Sequence, residues 1–381
     1  MKIVHLADLH LGKRVNEFSM IEDQKYILNS IVNIIENEKP DGVVIAGDVY
    51  DKSVPTVEAV CILDDFLTRL MELKLPVFII SGNHDSSDRL AFGNKIMENS
   101  NIFISPVYDG VIKPVTLYDD FGPVNFYLLP FIKPSSVRSF FPDEKIESYT
   151  DGVSAAIKHM NIDKSERNVL VAHQFVTGAL RCESEELSVG GLDNIDVSVF
   201  QDFDYTALGH IHGPQTVGSE RVCYAGSPLK YSFSECNHKK AVKIVELLNK
   251  TEGSTEIKCK SVPLVPVRDM RELRGTYDDL MALKNYENTN TDDYIHVILT
   301  DEEDILNGFS RLQTVYKNLM KLDYDNKRTS NINKIECIDS KDLGPVDIFR
   351  EFYKLQNNKE ISSEQDSFIS GLIEEIWEGD K

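Results

Sequence analysis

The chain has 381 residues, 41% of them hydrophobic and 9% aromatic, so it can bury a sizeable core and is not intrinsically disordered. Its 62 acidic residues exceed its 41 basic ones, and the net charge of −21 argues against binding nucleic acid through its own surface alone. No apolar run approaches the ~20 residues of a membrane span, and the N-terminal MKIVHLADLH is too short and too soon charged for a secretory signal. We therefore expect a cytoplasmic protein of two or three structural units that makes no membrane contact.

Five apolar segments of strand length end in polar side chains: KIVHLADLH (2–10), GVVIAGD (42–48), VFIISGNHD (77–85), NVLVAHQF (168–175) and YTALGHIH (205–212). Between the first three, apolar spacing predicts helices over 23–37 and 57–73, with faces that include Tyr26 and Val60. Apolar strands alternating with amphipathic helices are typical of a layered α/β fold with both sheet faces covered. Ligands of open α/β sheets bind at the carboxyl ends of the strands, so we expect the five polar segments to converge.

The C-terminal third is predicted to form two further units. Helical pieces at DDLMALKNY (278–286) and EDILNGFSRLQTVYKNLMKL (303–322) flank a strand, DYIHVILT (293–300), which indicates a small α+β domain. Ser362 with Gln365 fits a capping box, and the helix after it carries an apolar stripe, Phe368, Ile369, Leu372, Ile373, Ile376 and Trp377. Such a terminal helix either folds back on its own domain or docks on a partner. The expected boundaries are 1–268, 269–340 and 341–381.

Seven side chains at the ends of the predicted strands have the chemistry of metal ligands: Asp8, His10, Asp48, Asn83, His173, His210 and His212. Carboxylates and imidazoles with one amide and no thiolate suit manganese, iron or zinc. Seven ligands are too many for one tetrahedral ion and suit two ions, with Asp48 as the bridge because a carboxylate has two oxygens. Two ions roughly 3.5–4 Å apart can clamp a phosphate and activate the water that attacks it.

The GNHD segment also contains two residues that need not be ligands. His84 can hydrogen-bond a phosphate or protonate a leaving oxygen, and Asp85 is expected to hold the tautomer of His84. His5, by contrast, is expected to point into or across the sheet as part of the core. A lone DLH or HIH is more often structural, so the prediction of a dinuclear site depends on all five segments occurring together.

These segments resemble the calcineurin-like metallophosphoesterase superfamily, whose signature runs DxH, GDxxD, GNHD/E, H and GHxH. The matching segments here are 8–10, 47–51, 82–85, His173 and 209–212. Within the superfamily, HLADLHLGK, AGDVYDKSVP, SGNHDSSDRL, AHQFVTG, LGHIHGPQ and GSPLKYSFSE look like segments of DNA nucleases. The likeness is strong over about 1–270, and the C-terminal DIFREFYKLQN extends it to nearly the full length.

The resemblance implies a role for each residue of the site. One Mn²⁺ would be held by Asp8, His10, Asp48 and His212, and the other by Asp48, Asn83, His173 and His210. Mg²⁺, Fe²⁺ or Zn²⁺ are alternatives to Mn²⁺. His84 and Asp85 would be the catalytic residues. Archaeal and eukaryotic relatives have histidine where this chain has Asp51, so Asp51 is expected to support the ligands from behind.

The resemblance also implies an activity and partners. The chain would be the Mn²⁺-dependent nuclease component of a DNA-processing complex, an exonuclease on double-stranded ends and an endonuclease on hairpin or single-stranded DNA. It would act with an ABC-type ATPase at the nucleoid, in DNA end processing, repair, recombination and replication, as a homodimer within a heterotetramer. Residues 1–268 would form the nuclease domain, 269–340 a DNA-capping domain and 341–381 a partner-binding tail. The tail would contact the ATPase through Phe349, Phe352, Phe368, Leu372, Ile376 and Trp377.

Two other functions fit parts of the sequence. A metallophosphatase or phosphodiesterase acting on a small or protein substrate would use the same metals. However, protein phosphatases of this superfamily typically continue the second motif with arginine (GDxVDRG), whereas Lys52 follows Asp51 here. A non-enzymatic scaffold with this fold would be expected to have lost ligands, and this chain retains all seven.

Overall fold

The computed structural model describes residues 1–185, 193–251, 253–326, 345–357 and 360–379, and the chain divides into two units, Met1–Asp269 and Met270–Lys381. The strands of the first unit are β1 Lys2–Leu6, β2 Arg14–Val15, β3 Phe18–Ser19, β4 Gly42–Ala46, β5 Val77–Ile80, β6 Ile102–Ile104, β7 Val115–Asp119, β8 Gly122–Leu128, β9 Arg167–His173, β10 Tyr205–Gly209, β11 Gln215–Val217, β12 Ser219–Tyr224, β13 Ala241–Thr251 and β14 Ser254–Pro263. Its α-helices are α1 Ile21–Glu38, α2 Val57–Glu72, α3 Ser87–Leu90, α4 Asn94–Met97, α5 Pro134–Arg138 and α6 Tyr149–Lys158, and short 3₁₀ turns form at Glu98–Ser100, Val197–Phe200 and Phe233–Glu235.

Two six-stranded sheets form the frame of the first unit, with strand orders β14-β13-β1-β4-β5-β6 and β11-β12-β10-β9-β8-β7. Strands β1, β4, β5 and β6 are mutually parallel, since α1, α2 and the short helices after β5 carry the chain back to the start of the next strand. Strands β8, β9, β10 and β12 form the parallel part of the other sheet. Parallel strands bring their carboxyl ends to one edge, which is where the predicted ligands lie.

An apolar core lies between the two sheets. Phe78 on β5 stacks on Phe126 on β8 with ring centroids 4.2 Å apart and planes 10° from parallel, and Val44 and Val169 belong to the same cluster. The alternate strand residues are fully buried as well, as Val43 shows, so both faces of the first sheet are covered. These continuous apolar strands confirm the predicted layered α/β fold.

The two predicted helices of the first unit form close to their expected bounds, as α1 and α2. Their buried stripes are narrower than expected, because Tyr26 and Val60 are 42% and 44% exposed. Helical spacing indicates the direction of an apolar face, but residues at its edges are buried only where a neighbouring element covers them. Among the described residues, no helix combines the length and apolar character needed to cross a bilayer.

The second unit contains the strands β15 Met270–Gly275, β16 Tyr294–Leu299 and β17 Asn318–Tyr324, the helices α7 Tyr277–Met281, α8 Gly308–Leu312, α9 Pro345–Asn357 and α10 Ser363–Gly379, and a 3₁₀ turn at Leu283–Asn285. The three strands form a parallel sheet in the order β15-β16-β17. The predicted strand at 293–300 is confirmed as β16. The prediction of helix across 303–322 is wrong beyond residues 308–312, because 318–324 pairs with the edge of β16. A short apolar run does not distinguish a strand from a helix by its spacing.

The capping box that begins α10 forms as predicted. The Gln365 backbone N–H donates to Ser362 Oγ, and the Ser362 backbone N–H donates to Gln365 Oε1, both at 3.3 Å. The expected boundary near residue 340 lies outside the described residues, so the three-domain division stays a prediction.

His5 joins the two sheets at the centre of the first unit. Its Nε2–H donates to the Leu208 carbonyl at 3.1 Å and its Nδ1 accepts from the Tyr205 hydroxyl at 3.0 Å, so this β1 residue bonds twice to β10. The side chain is fully buried. Burial, followed by the nearby charge of Lys243, lowers the pKa of His5 from 6.5 to about 3. The expectation of a core histidine is confirmed.

The neutral state of His5 makes stability depend on pH. Below pH 6.5 the unfolded chain binds a proton at this residue while the folded chain does not, so stability falls as the pH falls toward about 3. Between pH 6.5 and about pH 5, the free energy of unfolding should therefore fall by about 2 kcal/mol more in the wild type than in His5→Gln. Urea unfolding of the chelator-treated wild type and variant at both pH values measures this difference. His159→Gln, a matched change at an exposed histidine, should leave the loss as in the wild type, and an unchanged loss in His5→Gln would contradict the prediction.

Candidate metal centre

The candidate ligands follow the ends of β1, β4, β5, β9 and β10, and four of them have left-handed backbone conformations. The φ angles are 53° at Asp8, 45° at His10, 47° at Asp48 and 100° at His210. Non-glycine residues adopt this region at a cost of order 1 kcal/mol or more, and they do so mainly where surrounding contacts hold them and function requires it. The Asp8 backbone N–H donates to Gly47 O at 3.1 Å, and that of His10 donates to Asp48 O at 2.9 Å. These bonds hold the first two segments together.

Two glycines permit the close approach of the segments. A Cβ atom on Gly209 would lie 1.9 Å from the Ala46 carbonyl oxygen, and one on Gly82 would lie 2.1 Å from Asp48 Oδ1. Neither contact is physically attainable, so any side chain at these positions would push the strand ends apart. The spacing of the ligand groups described next depends on these two backbone contacts.

The first group of ligands consists of Asp8, His10 and His212, whose ligand atoms lie within 4.8 Å of one another. His10 Nε2 and His212 Nε2 face each other at 3.0 Å. Asp8 Oδ1 accepts from the His210 backbone N–H at 2.9 Å, whereas Asp8 Oδ2 is buried and has no hydrogen-bond partner in the described part of the chain. An unpaired carboxylate oxygen beside two converging imidazole nitrogens is an arrangement that a cation would satisfy.

The second group is built around Asn83. Its Oδ1 lies 3.0 Å from His173 Nε2 and 2.9 Å from His210 Nδ1. The Nδ1–H of His173 donates to the Ala46 carbonyl at 2.8 Å, which leaves Nε2 free to act as a ligand. This is the tautomer that a metal-binding histidine requires.

Asp48 lies between the two groups. Its Oδ2 is 3.3 Å from His173 Nε2 and 3.6 Å from His10 Nε2, while its Oδ1 accepts from the His84 backbone N–H at 2.9 Å. The structure therefore brings all seven predicted ligands together and places Asp48 where a bridging ligand would be. Their roles as ligands remain a prediction.

The electrostatics of the buried side chains fit divalent cations. Burial raises the pKa of Asp8 to about 7. Burial alone would also raise the pKa of Asp48, but His173 and His10 outweigh it and hold that pKa well below its ordinary value. Burial lowers the pKa of His10 strongly and that of His210 to about 3. Burial would also lower the pKa of His173, but Asp48 outweighs it and raises that pKa to about 9. Carboxylate and imidazole groups of this kind form the donor set that Mn²⁺, Fe²⁺ or Zn²⁺ accepts.

His84 and Asp85 differ in part from expectation. The Nδ1–H of His84 donates to the Asp51 carbonyl at 3.0 Å, so a backbone group holds its tautomer and Asp85 does not. The Asp85 carboxylate instead accepts from the backbone N–H groups of Val49, Tyr50 and Gly82 at 2.9–3.0 Å. The predicted contact of Asp85 with His84 is wrong, because three backbone donors already occupy this carboxylate. Asp85 joins the loop after β5 to the loop after β4.

Asp51 lies behind the first group. Its Oδ1 accepts from Lys13 Nζ at 2.7 Å and lies 3.7 Å from His10 Nδ1. The side chain is therefore on the far side of the His10 ring from the facing nitrogens. This position agrees with the expectation that Asp51 supports a ligand.

Residues that the sequence analysis did not select hold His212, among them Ser184, Glu235 and Lys240. The Nδ1–H of His212 points to Ser184 Oγ at 2.8 Å and Glu235 Oε1 at 3.2 Å. Glu235 is fully buried and pairs with Lys240, which also donates to the His212 carbonyl at 2.9 Å. A carboxylate behind a histidine ligand fixes the ring and increases its basicity. In the sequence, Glu235 is marked only by its position at the end of the GSPLKYSFSE segment. Its contact with His212 could not be predicted because the two residues are far apart in the chain.

Cys182 lies near the same group but is not a ligand candidate of equal quality. Its Sγ atom approaches His212 and Glu235 closely enough to form a metal-type cluster. However, burial, followed by the charge of Glu235, raises the pKa of this thiol to about 12. The thiol also contacts Ser184 Oγ at 3.0 Å and donates to Glu185 Oε1 at 3.2 Å, so its partners lie outside the two ligand groups.

The predicted partner-binding residues lie on the last two helices. Phe352, Phe368 and Leu372 are 56%, 68% and 43% exposed, and Phe349 is partly buried. Ile376 and Trp377 lie within α10, but their side chains are outside the described part of the structure.

Fold and site together define a metal-dependent phosphoesterase. Residues 1–214 match the sequence model of the calcineurin-like phosphoesterase family, and residues 266–357 match that of the type 5 capsule protein repressor C-terminal domain. Two curated relatives, each named as the D subunit of the nuclease SbcCD, are 34% identical to the chain. The one from Staphylococcus epidermidis aligns over 98% of both chains, and the one from Staphylococcus saprophyticus over 99% of both. The chain therefore belongs to the calcineurin-like phosphoesterases and, among them, to the SbcD family.

A comparison of folds gives a weaker likeness. The crystal structure of TT1561 of Thermus thermophilus aligns over 68% of this chain and 97% of its own, with 13% identity and a TM-score of 0.39. That score is too low to carry an argument. Membership of the family, which the sequence comparisons show, confirms the predicted fold class and the predicted class of enzyme. This membership also implies a dimetal site.

Removing the Glu235 carboxylate should weaken metal binding at the first group of ligands. We expect Glu235→Gln to lower Mn²⁺ affinity at one of two positions by about 10–100-fold and to leave the other unchanged, because His212 is the one candidate ligand that bonds to Glu235 among the described residues. Calorimetric titration of the metal-free chain with Mn²⁺ measures both affinities.

Two further variants make this test specific. Ser184→Ala, which leaves the Glu235–Lys240 pair in place, should give a smaller loss at the same position. Glu256→Gln, at an exposed glutamate, should have no effect. Unchanged affinities in a folded Glu235→Gln protein would show that the carboxylate does not act on the metal position.

Proposed function

We propose that this chain is the Mn²⁺-dependent nuclease component of a DNA end-processing complex. It would act as an exonuclease on double-stranded ends and an endonuclease on hairpin or single-stranded DNA. The full-length likeness to two proteins named for the nuclease SbcCD supports this function. The observation that carries it is the position of Asp48, whose Oδ2 faces a histidine of each ligand group at 3.3 and 3.6 Å.

The metal positions explain how the site would hold a phosphodiester. Bound divalent ions supply the positive charge that binds phosphate oxygens and favours ionisation of the attacking water. Asp8, His10, His212 and Asp48 would hold one ion, and Asp48, Asn83, His173 and His210 the other. Asp8 and Asp48 each have one oxygen fixed by a backbone N–H, from His210 or His84, so the other oxygen would be available to an ion. Mn²⁺ suits this donor set, with Mg²⁺, Fe²⁺ and Zn²⁺ as alternatives.

His84 is the proposed proton donor. Its Nδ1–H is bonded to the Asp51 carbonyl, so Nε2 is the nitrogen available to the substrate. Its ring lies 4.8 Å from that of His10, centroid to centroid, and perpendicular to it. A proton on Nε2 would neutralise the sugar oxygen as the P–O bond breaks. Asp85 contributes indirectly, by fixing the loop that carries His84.

Replacing His84 should separate metal binding from cleavage. We expect His84→Gln to keep two bound Mn²⁺ per chain and to lower the cleavage rate of linear duplex DNA by about 10²–10⁴-fold, because only the proton donor is lost. The assay contains Mn²⁺, the ATPase partner and ATP. His159→Gln is the matched control and should cleave at the wild-type rate. Cleavage by His84→Gln at that same rate would rule out the assigned role.

The tail is proposed to bind an SbcC-type ABC ATPase. Arg350 on α9 makes two bonds to Asp366 on α10, at 2.6 and 2.7 Å, which support a paired arrangement of the two helices. Large apolar side chains on this pair are exposed, among them Phe352 and Phe368. Exposed aromatic residues on paired helices are typical of a docking surface. The partner would also supply basic surface for DNA, which would offset the net charge of −21 of this chain.

The remaining partner assignments are also proposals. A second copy of the chain would complete a homodimer within a heterotetramer, and apolar side chains exposed at Val57, Phe92 and Ile96 support such a contact. Residues 269–340 would form the DNA-capping domain. A cytoplasmic location at the nucleoid would follow from the substrate.

Loss of the exposed tail aromatics should abolish partner binding. We expect the double variant Phe352→Ala/Phe368→Ala to reduce co-purification with the ATPase more than tenfold, because buried aromatic anchors carry much of the energy of an interface. Co-expression followed by affinity capture of the ATPase measures the ratio of the two chains. Tyr118→Ala, at a residue 77% exposed in the first unit, is the control. A wild-type ratio for the double variant would contradict the assignment.

A further inference from the structure

A small cleft opens beside the second group of ligands. It has a volume of about 140 Å³ and is lined by Asn83, Phe131, Lys133, Tyr149, Gln174, Phe175, Asp193 and His210. At ~30 Å³ per water molecule, this is the space of four or five waters, which is the size of one heterocyclic ring. Because Asn83 and His210 line both the cleft and the proposed metal position, a ligand in the cleft would be continuous with a phosphate held there.

The cleft combines aromatic walls with a cation at its rim. Phe131 and Tyr149 are partly exposed and their ring centroids lie 6.4 Å apart. Phe131 also meets the ring of the candidate ligand His173 edge-on, with centroids 6.4 Å apart. Lys133 is exposed at the rim. Aromatic side chains next to a positive group are the combination with which proteins hold the bases and backbone of single-stranded nucleic acid.

Two unpartnered polar atoms belong to residues of the cleft. Gln174 is only 1% exposed, and its Nε2 donates to the Ile132 carbonyl at 3.2 Å, which fixes the orientation of the amide. Among the described residues, neither its Oε1 nor His210 Nε2 has a hydrogen-bond partner. His210 Nδ1 faces Asn83, so the unpaired Nε2 lies on the opposite side of the ring. A buried acceptor such as Gln174 Oε1 carries a desolvation cost that a bound donor would remove.

We propose that this cleft binds the nucleobase of the nucleotide whose phosphate lies at the metal centre. The base would lie against Phe131 and Tyr149, and its N–H groups would donate to Gln174 Oε1. Adenine, cytosine and guanine carry an exocyclic amino group and thymine an imide N–H, so every base offers a donor and the contact tolerates all sequences. The proposal deepens the proposed nuclease function and rests on it for the class of substrate. It makes Phe131 and Gln174 positioning residues for the cut end, outside the metal ligands.

Equilibrium binding of a mononucleotide tests the cleft without requiring cleavage. The full-length chain is loaded with Mn²⁺ and titrated calorimetrically with dAMP and with 2-deoxyribose 5-phosphate, which has the same phosphate and sugar but no base. We expect dAMP to bind about tenfold more tightly or better. Equal affinities for the two probes in the wild type would overturn the proposal, and this comparison needs no variant.

Variants then locate the base. Phe131→Ala and Gln174→Ala should bring the dAMP affinity close to that of the abasic probe, while the abasic affinity and the number of bound Mn²⁺ ions stay as in the wild type. Phe121→Ala and Gln201→Ala, at exposed positions away from the cleft, should retain the full preference for dAMP. A preference for dAMP that survives in Phe131→Ala and in Gln174→Ala would place the base elsewhere and overturn the proposal.

The binding test can fail or succeed independently of the cleavage assay that tests the proposed nuclease function. If the chain binds dAMP with the expected preference but does not cleave DNA, the assignment of the cleft stands and the proposed function is wrong. If the chain cleaves DNA but binds both probes equally, the proposed function stands and the assignment of the cleft is wrong.

Discussion

The carboxylate of Asp48 is the interaction on which the rest of the site depends. It is almost fully buried, it takes one backbone hydrogen bond, and its second oxygen faces histidines from two separate ligand groups. A buried charge of this kind is stable only when positive charge or donors surround it. The histidines supply part of that charge, and two divalent cations would supply the rest. The phosphoesterase chemistry follows because the same cations bind phosphate.

The fold keeps this charge in place by bringing backbone segments unusually close. Gly209 and Gly82 allow contacts that any Cβ would prevent, and Asp8, His10 and Asp48 accept left-handed backbone angles. Behind the ligands, the Asp85 carboxylate joins two loops and the Glu235–Lys240 pair fixes His212. The apolar core between the sheets determines the separation of the strands, so packing far from the site controls distances within it.

Most of the fold and the convergence of the seven candidate ligands could be predicted from the sequence. Strand-length apolar runs ending in Asp, Asn or His are local patterns, and strand ends of a parallel sheet meet at one edge. Three of the errors have one origin. Strand β17 was predicted as helix, Asp85 as a partner of His84, and Glu235 was not selected at all. In each case the deciding contact joins residues distant in the chain, such as β17 with β16 or Glu235 with His212, and local spacing contains no record of it.

The sequence by itself determined the candidate ligands, the order in which they occur and the family of the chain, because side-chain chemistry and motif spacing are properties of the chain alone. Only the tertiary structure decided which ligands face each other, which carboxylate lies between the two groups and which lies behind them. It also decided that a backbone carbonyl holds His84 and that a cleft lies beside Asn83 and His210. Distances and burial arise when separate strands pack, and they set the pKa values and hydrogen bonds on which the chemistry depends.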